Sequence, residues 1–416
     1  MMHLTLHRLV FSSFLNKQKN LYKLCLFSGI MKIGFLIRYF KPGMGGAENN
    51  CYYLARELAK DKKNQVHIFC SDNQEKEEII EGIKIHRCKQ ILNLTYYFAF
   101  YPSIVKKLLN ANLDILHVHG LGFIQNDLAV RKLKRVNPGV KIICTPHGPF
   151  MALKYSLILK LIKSIYTLII RKNINYYDKI IQVNPFQKEW MIKEYNIPKN
   201  KIEFLPNGIP KESFKKISKN KQQKIAIKYN LENKFIISYL GRIQEYKGLD
   251  QIIKILPEIK KICPNICFVA IGKDSGDSKR LKDLADELGA GENILFTGEV
   301  SEEEKYALLD LSEIFIFPSE WEAFGISVLE AMARENAVIS TKTEGGIFLI
   351  KEEKNGYLFN YQNKEELFKK IKILILNDKL RKNIQKNNIK KVRSFLWEKI
   401  AKKLFCIYGT LQNEKV

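Results

Sequence analysis

The stretch Pro318-Ser319-Glu320-Trp321-Glu322-Ala323-Phe324-Gly325-Ile326-Ser327-Val328-Leu329-Glu330-Ala331-Met332-Ala333 decides how this chain is read. It follows a short apolar run, Ile314-Phe315-Ile316-Phe317, with the length and composition of a buried strand. After Gly325 the apolar spacing turns helical, at Ile326, Leu329, Met332 and Ala333. Glu322 therefore falls in a strand-to-helix loop, and Glu330 lies about one turn inside the helix. The amides of Phe324, Gly325 and Ile326 open that helix, where backbone donors lack intrahelical acceptors and attract anionic or hydroxyl-rich ligands. Two carboxylates flanking a row of donors match the chemistry of a sugar nucleotide, whose hydroxyls need acceptors and whose phosphates need amides and cations.

Working outward, strand-like and helix-like runs alternate from Met31 to the end. The first series is 32–37, 66–70, 83–87, 113–119, 140–144, 179–183 and 202–205. A turn-rich boundary, Pro206-Asn207-Gly208-Ile209-Pro210, interrupts it. A second series follows at 235–240, 266–271, 293–296, 314–317, 337–340 and 357–359. Near-continuous apolar strands separated by helices predict parallel sheets covered on both faces, hence an α/β fold of two domains with ligands at the carboxyl ends of the strands. The expected division is 1–30 as an extension, 31–206 as the N-terminal domain, 207–390 as the C-terminal domain and 391–416 as a terminal helix, apolar at Leu396, Ile400, Leu404 and Ile407.

Further motifs sit where strands end. Pro42-Gly43-Met44-Gly45-Gly46-Ala47-Glu48 follows the first strand, and its glycines let backbone approach a ligand at a helix N-terminus. No Gly-Lys-Ser/Thr follows, so it is not a P-loop; a simple tight turn is the alternative. Gly241-Arg242-Ile243-Gln244-Glu245-Tyr246-Lys247-Gly248 follows the first strand of the second series. Arg242 and Lys247 can both aim at one pyrophosphate and neutralise charge on a departing nucleoside diphosphate, or form a solvated surface pair. Cys144-Thr145-Pro146-His147-Gly148-Pro149 offers His147 as an active-site imidazole, with a structural loop histidine as the alternative. His117 and His119 share a strand face but have no third metal ligand at suitable spacing.

The run Pro-Ser…Glu322-Ala-Phe324-Gly325…Glu330 resembles the Glu-x7-Glu signature of glycosyltransferase family 4, the retaining family with the two-domain GT-B fold. The Gly-Gly-x-Glu at Gly45–Glu48 and the Gly-Arg-x4-Lys-Gly at Gly241–Gly248 resemble that family's other motifs, and the likeness covers most of residues 31–416. The resemblance implies two Rossmann-like domains facing across a cleft and a C-terminal helix returning to the N-terminal domain. It implies that Gly45 and Gly46 meet the donor phosphates and that Gly272 approaches the nucleotide. The Val300 backbone would meet the base, Glu322 would hold sugar hydroxyls and Glu330 the ribose. Phe324, Gly325 and Ile326 would supply amides. Catalytic roles fall to His147, Arg242, Lys247 and Glu322. Two departures stand out: Gly148 replaces the acid that often follows the histidine, and Ile347 replaces the acid that usually follows Gly345-Gly346. No Asp-x-Asp ends a strand, so the expectation is charge stabilisation without a metal or cofactor.

Composition bounds the partners. Lys and Arg total 69 against 43 acids, a formal net charge of +26. Residues 85–188 hold 16 basic residues against the three acids Asp114, Asp127 and Asp178. This excess fits a phosphorylated or lipid-linked acceptor and peripheral contact with an anionic membrane. The basic apolar segment Met151–Lys172, with Lys154, Lys160, Lys163, Arg171 and Lys172, and the aromatic run 96–101 beside Lys106 and Lys107 are candidate membrane patches. Ordinary helices covering a sheet are the alternative. The first thirty residues carry four basic and no acidic residues and read as an extension, a peripheral membrane arm or a targeting segment. Eight scattered cysteines lack metal spacing and predict reduced thiols and a cytoplasmic setting. The expected activity is transfer of a hexose or N-acetylhexosamine from a nucleotide-diphosphate sugar to a glycan or lipid-linked acceptor, with no nucleic-acid partner. The rivals are a sugar-nucleotide epimerase of the same architecture and a charge-driven membrane or nucleic-acid binder.

Overall fold

The computed structural model describes residues 30–40, 45–94, 97–148 and 157–414, with side chains of 157–162 left aside. The extension before Ile30, the residues Pro42–Met44, Tyr96, and the start of the basic segment through Leu153 and Lys154 lie outside the described residues, as does the Lys160 side chain. The chain forms two units, one running to Asn207 and resuming at Trp397, the other Gly208–Leu396.

The first unit is built on an eight-stranded sheet. Its strands are β1 (Lys32–Leu36), β2 (Gln65–Asp72), β3 (Lys76–Ile80), β4 (Ile83–Lys89), β7 (Ile115–His119), β8 (Lys141–Thr145), β9 (Lys179–Gln182) and β10 (Ile202–Phe204). Their order is β10-β9-β8-β7-β1-β2-β4-β3. All pairs are parallel except β3–β4. The central strands are buried on both faces, as their unbroken apolar sequences require. One face packs against the helices Gly46–Ala59 and Trp397–Asn413 through Cys51, Leu54, Leu58, Trp397, Ile400, Leu404 and Tyr408. The other is covered by the helices Ser103–Asn110, Ile124–Val136 and Leu157–Asn173. A separate hairpin, β5 (Leu92–Asn93) with β6 (Ala99–Phe100), projects between β4 and the helix Ser103–Asn110.

The second unit holds six parallel strands: β11 (Phe235–Leu240), β12 (Ile266–Ile271), β13 (Ile294–Gly298), β14 (Ile314–Phe317), β15 (Ala337–Thr341) and β16 (Gly356–Phe359). The order β13-β12-β11-β14-β15-β16 places the reversal of winding between β11 and β14. Crevices outside the strand ends at such a reversal are where open α/β sheets take ligands.

The domain limits differ slightly from those read in the sequence. The first unit ends one residue later, at Asn207, and the chain rejoins it at Trp397 rather than at 391. The intervening turn stays with the second unit because Phe395 packs edge-on against Phe324 and Phe348, and its carbonyl accepts the Ile209 amide at 2.8 Å. Among the described residues no helix is long and apolar enough to cross a membrane.

Candidate active site

In the second unit, the loops after β11 and β14 meet at the reversal point. The Glu320 amide donates to the Tyr246 carbonyl at 2.8 Å. The Gln251 amide nitrogen donates to the Pro318 carbonyl at 2.8 Å. Gly248 adopts φ +66, and a Cβ there would lie 2.4 Å from the Pro318 carbonyl oxygen, so only glycine lets the loops close. This locking brings Lys247 and Glu322, 75 residues apart in sequence, into a direct ion pair. The Lys247 ammonium also lies 4.6 Å from the Tyr246 ring centroid. Burial disfavours its charge, but the Glu322 carboxylate and Tyr246 outweigh that and hold its pKa above the ordinary value.

Arg242 is exposed at the end of β11, with a long 3.5 Å contact to the Tyr246 hydroxyl. Gly241 and Gly272 approach so closely that a Cβ on Gly272 would lie 2.2 Å from the Gly241 carbonyl oxygen. Gly272 donates its amide to the Gly298 carbonyl, and Val300 follows, half-buried, two residues beyond β13. The helix Ile326–Ala333 starts from Gly325 in the left-handed conformation, φ 89. Phe324 is buried against Phe348, so its ring is structural and only its backbone faces the helix mouth. The Glu322 carbonyl accepts the Gly345 amide at 3.1 Å, which ties the start of the helix Glu344–Leu349 to the site loop.

Glu330 has a partner the sequence did not reveal. Lys305, on the helix Glu302–Leu311, lies 2.8 Å from its carboxylate. Burial opposes the Lys305 charge, while Glu330, Tyr306 and Glu302 raise its pKa. Lys305 and Glu330 are 25 positions apart on different helices, and no local spacing signals the pair.

In the first unit, Gly45 caps the helix Gly46–Ala59, and its amide donates to the Glu48 carboxylate at 3.0 Å. That bond explains the Gly-Gly-x-Glu spacing locally, because Glu48 reaches back across one turn. His147 follows β8 in the left-handed backbone region, φ 62, half-buried. Its Nε2 lies 2.9 Å from Nδ1 of His119. His117 and His119 share one face of β7, stacked at 4.6 Å. Burial pushes the pKa of both His117 and His147 down to about 3. No group of three His, Cys, Asp or Glu among the described residues is arranged to hold a metal ion. Cys51, Cys70, Cys88, Cys144, Cys263 and Cys267 are free and buried, whereas Cys406 is disulfide-bonded, against the expectation of reduced thiols throughout.

Two α/β units on mainly parallel sheets, each with glycine-rich or charged loops at the carboxyl strand ends, have the architecture of the GT-B fold. The family model described as glycosyltransferase family 4 matches residues 44–213, and that of the glycosyl transferases group 1 matches 220–391. The chain belongs to this family of glycosyltransferases. It is 26% identical to an uncharacterized glycosyltransferase of Methanocaldococcus jannaschii over 90% of this chain and 97% of that one. It is 22% identical to the phosphatidyl-myo-inositol mannosyltransferase of Mycobacterium leprae, over 92% and 97% respectively. The solved sucrose-phosphate synthase of Thermosynechococcus elongatus shares the fold with a TM-score of 0.74 and 18% identity, covering 92% of this chain and 100% of that one.

Proposed function

We propose that this glycosyltransferase moves a hexose or N-acetylhexosamine from a nucleotide-diphosphate sugar to a glycan or lipid-linked acceptor, with retention of configuration. The observation that carries the reading is the Lys247–Glu322 pair at the β11/β14 reversal, beside the helix start at Gly325. A buried ammonium, the nearby Arg242 and helix-mouth amides can meet charge developing on a departing diphosphate. Glu322, released from Lys247 when phosphate takes the ammonium, becomes an acceptor for sugar hydroxyls. Glu330, steadied by Lys305, holds the ribose hydroxyls, with Gly272 and the Val300 backbone beside the nucleotide. Gly45 and Gly46 present the first unit's helix start to the donor phosphates, and His147 orients the sugar or its phosphate. The acceptor hydroxyl attacks from the face that the leaving phosphate vacates and gives its proton to a phosphate oxygen. Charge neutralisation by these residues predicts turnover that persists in EDTA.

A lipid-linked acceptor is favoured by the basic first unit and by the lipid acted on by the mycobacterial relative, as its name states. On this reading the protein is cytoplasmic and acts as a peripheral enzyme at the cytoplasmic face of a membrane. The test is nucleoside-diphosphate release from UDP- and GDP-sugars in EDTA, with polyprenyl-phosphate and sugar acceptors. Release from one donor, lost in Lys247→Ala and Glu322→Ala, supports the reading. Release undiminished in both variants removes these residues from the mechanism.

A further inference from the structure

The first unit buries a ladder of imidazoles of which the proposed reaction uses only the outer rung. At its base, His117 is fully buried and has both ring nitrogens engaged: Nδ1 with the Tyr408 hydroxyl and Nε2 with the Thr145 hydroxyl, each at 2.7 Å. His119 comes next, stacked on His117 at 4.6 Å and flanked by the Phe35 ring at 5.8 Å. It is 2% exposed. Its Nδ1 faces Nε2 of His147 at 2.9 Å, and its own Nε2 is buried with no hydrogen-bond partner.

A neutral imidazole carries one N–H and one bare nitrogen. Burial and the two neighbouring imidazoles keep His119 neutral. If its proton sat on Nε2, a buried N–H would have no acceptor, and orphaned buried N–H groups are rarer than orphaned acceptors. The proton therefore belongs on Nδ1, where His147 accepts it. The Nε2 of His147 is then an acceptor, and its proton must sit on Nδ1, at the other edge of the ring. The left-handed backbone of His147, costly for a non-glycine residue, is retained in a geometry that keeps its ring on His119.

We infer that His119 is a positioning residue: by donating from Nδ1 it fixes His147 as the Nδ1–H tautomer, so that His147 offers the substrate a hydrogen-bond donor at a defined place. The inference rests on reading His147 as the active-site imidazole. It assigns His119 no contact with substrate, and it assigns His117, Tyr408 and Thr145 the task of holding the His119 ring in place.

The test is tautomer assignment by long-range proton–nitrogen NMR on the full chain labelled with 15N-histidine, the His147 signals being identified by their loss in His147→Ala. The expected result is His147 as the Nδ1–H form in the wild type and a shift toward the Nε2–H form in His119→Phe. An Nε2–H His147 in the wild type overturns the proposal. Kinetics supply a second arm: His119→Phe lowers kcat by roughly 10- to 100-fold while the donor KM stays within about threefold. His119→Asn, which keeps an N–H donor near the Nδ1 position, recovers most of that loss. His119→Phe adds little to the defect of His147→Ala, because the two residues act as one unit. Additive defects, or no recovery with Asn in a protein that melts like the wild type, overturn it. Should His147→Ala retain full turnover, the role given to His147 above fails, and the NMR result still decides whether His119 sets its tautomer.

Discussion

At the scale of single residues, the site combines groups whose chemistry is legible in sequence with pairings that are not. Lys247 and Glu322 each stand in a recognisable strand-end loop, but their ion pair depends on how two loops 75 residues apart close on each other. The pair makes opposite predictions for its two members. Lys247 is only 7% exposed, so Glu322→Ala leaves a buried ammonium without its carboxylate and lowers stability by about 2–3 kcal/mol. Lys247→Met removes the buried charge, fills similar volume and leaves stability within about 1 kcal/mol of wild type, while donor turnover falls by roughly 10²- to 10³-fold. Urea unfolding beside a release assay separates the two effects; equal stability losses would argue that the pair is not effectively buried. The histidine ladder gives a pH prediction. His117 has a folded pKa of about 3 against 6.5 unfolded, so below pH 6.5 only the unfolded chain binds a proton there. Its stabilisation is complete above pH 6.5 and is lost as pH falls, by about 2 kcal/mol at pH 5. His119 acts in the same direction. Asp127 opposes them: burial raises its carboxyl to about 6, so the folded state gains a proton first and recovers about 1 kcal/mol by pH 5. The net expectation is falling stability of the first unit between pH 7 and pH 5 in urea melts, and a flat or rising profile would contradict the burial of these imidazoles.

At the scale of elements, the apolar runs 32–37, 113–119, 140–144, 235–240, 266–271, 314–317 and 337–340 all become strands, because strands buried on both faces leave a continuous apolar signature. The elements the sequence hid are those without that signature. β3 is an edge strand, and its Glu77 and Glu78 pair with His86 and Arg87 of β4, so its charges obscure its pairing. The hairpin β5–β6 has two residues per strand, too few for any period to show. Glu344-Gly345-Gly346 read as a glycine loop but is the first turn of the helix Glu344–Leu349, capped by Thr343, and neither that nor its mechanical tie to the site was legible. Gly345 is helical, and a Cβ on it would lie 2.3 Å from the Phe324 carbonyl oxygen, a backbone atom that cannot rotate away. Gly345→Ala must therefore push the Glu322–Gly325 loop. The expected outcome is a donor KM raised roughly tenfold or more with a stability loss of about 1–3 kcal/mol. Gly298 is the control: it has φ +69 but open space around its Cβ position, so Gly298→Ala costs only about 1 kcal/mol of backbone strain. If the two substitutions behave alike in a donor-binding titration, the contact between Gly345 and the loop carries no functional weight.

At the scale of the whole molecule, the net charge of +26 is concentrated in the first unit, and that unit also exposes apolar side chains in an organised way. Ile91, Leu92, Leu94 and Phe100 of the β5–β6 hairpin are 68%, 51%, 70% and 44% exposed. The hairpin is not a loose appendage: Asn93 accepts from the buried Arg38 at 3.0 Å, and Phe98, whose carbonyl accepts the Leu94 amide at the turn end, packs edge-on against Tyr166 of the helix Leu157–Asn173. That helix exposes Ile165 and Leu168, both 55%, with Lys172 exposed on the same side. If the protein works at a membrane, as proposed above, apolar residues on a braced hairpin and an adjoining helix in a basic unit would combine insertion with attraction to anionic headgroups. The basic surround and the aromatic run 96–101 were legible in the sequence as a candidate membrane patch; the pairing of that run with Leu92–Asn93 was not, because two residues per strand show no period. Two leucines entering the interface contribute about 1 kcal/mol each when only part of their area is newly buried, together about a 30-fold change in partitioning. Leu92→Glu with Leu94→Glu is therefore expected to reduce sedimentation with anionic vesicles by at least that factor, without lowering turnover of a water-soluble acceptor. Wild-type binding should fall steeply between low and high salt and be weak on zwitterionic vesicles, because the charge supplies the long-range part and the hairpin the short-range part. Binding that survives the double substitution but vanishes in salt would assign the membrane contact to charge alone, and the exposed hairpin would then have no part in it.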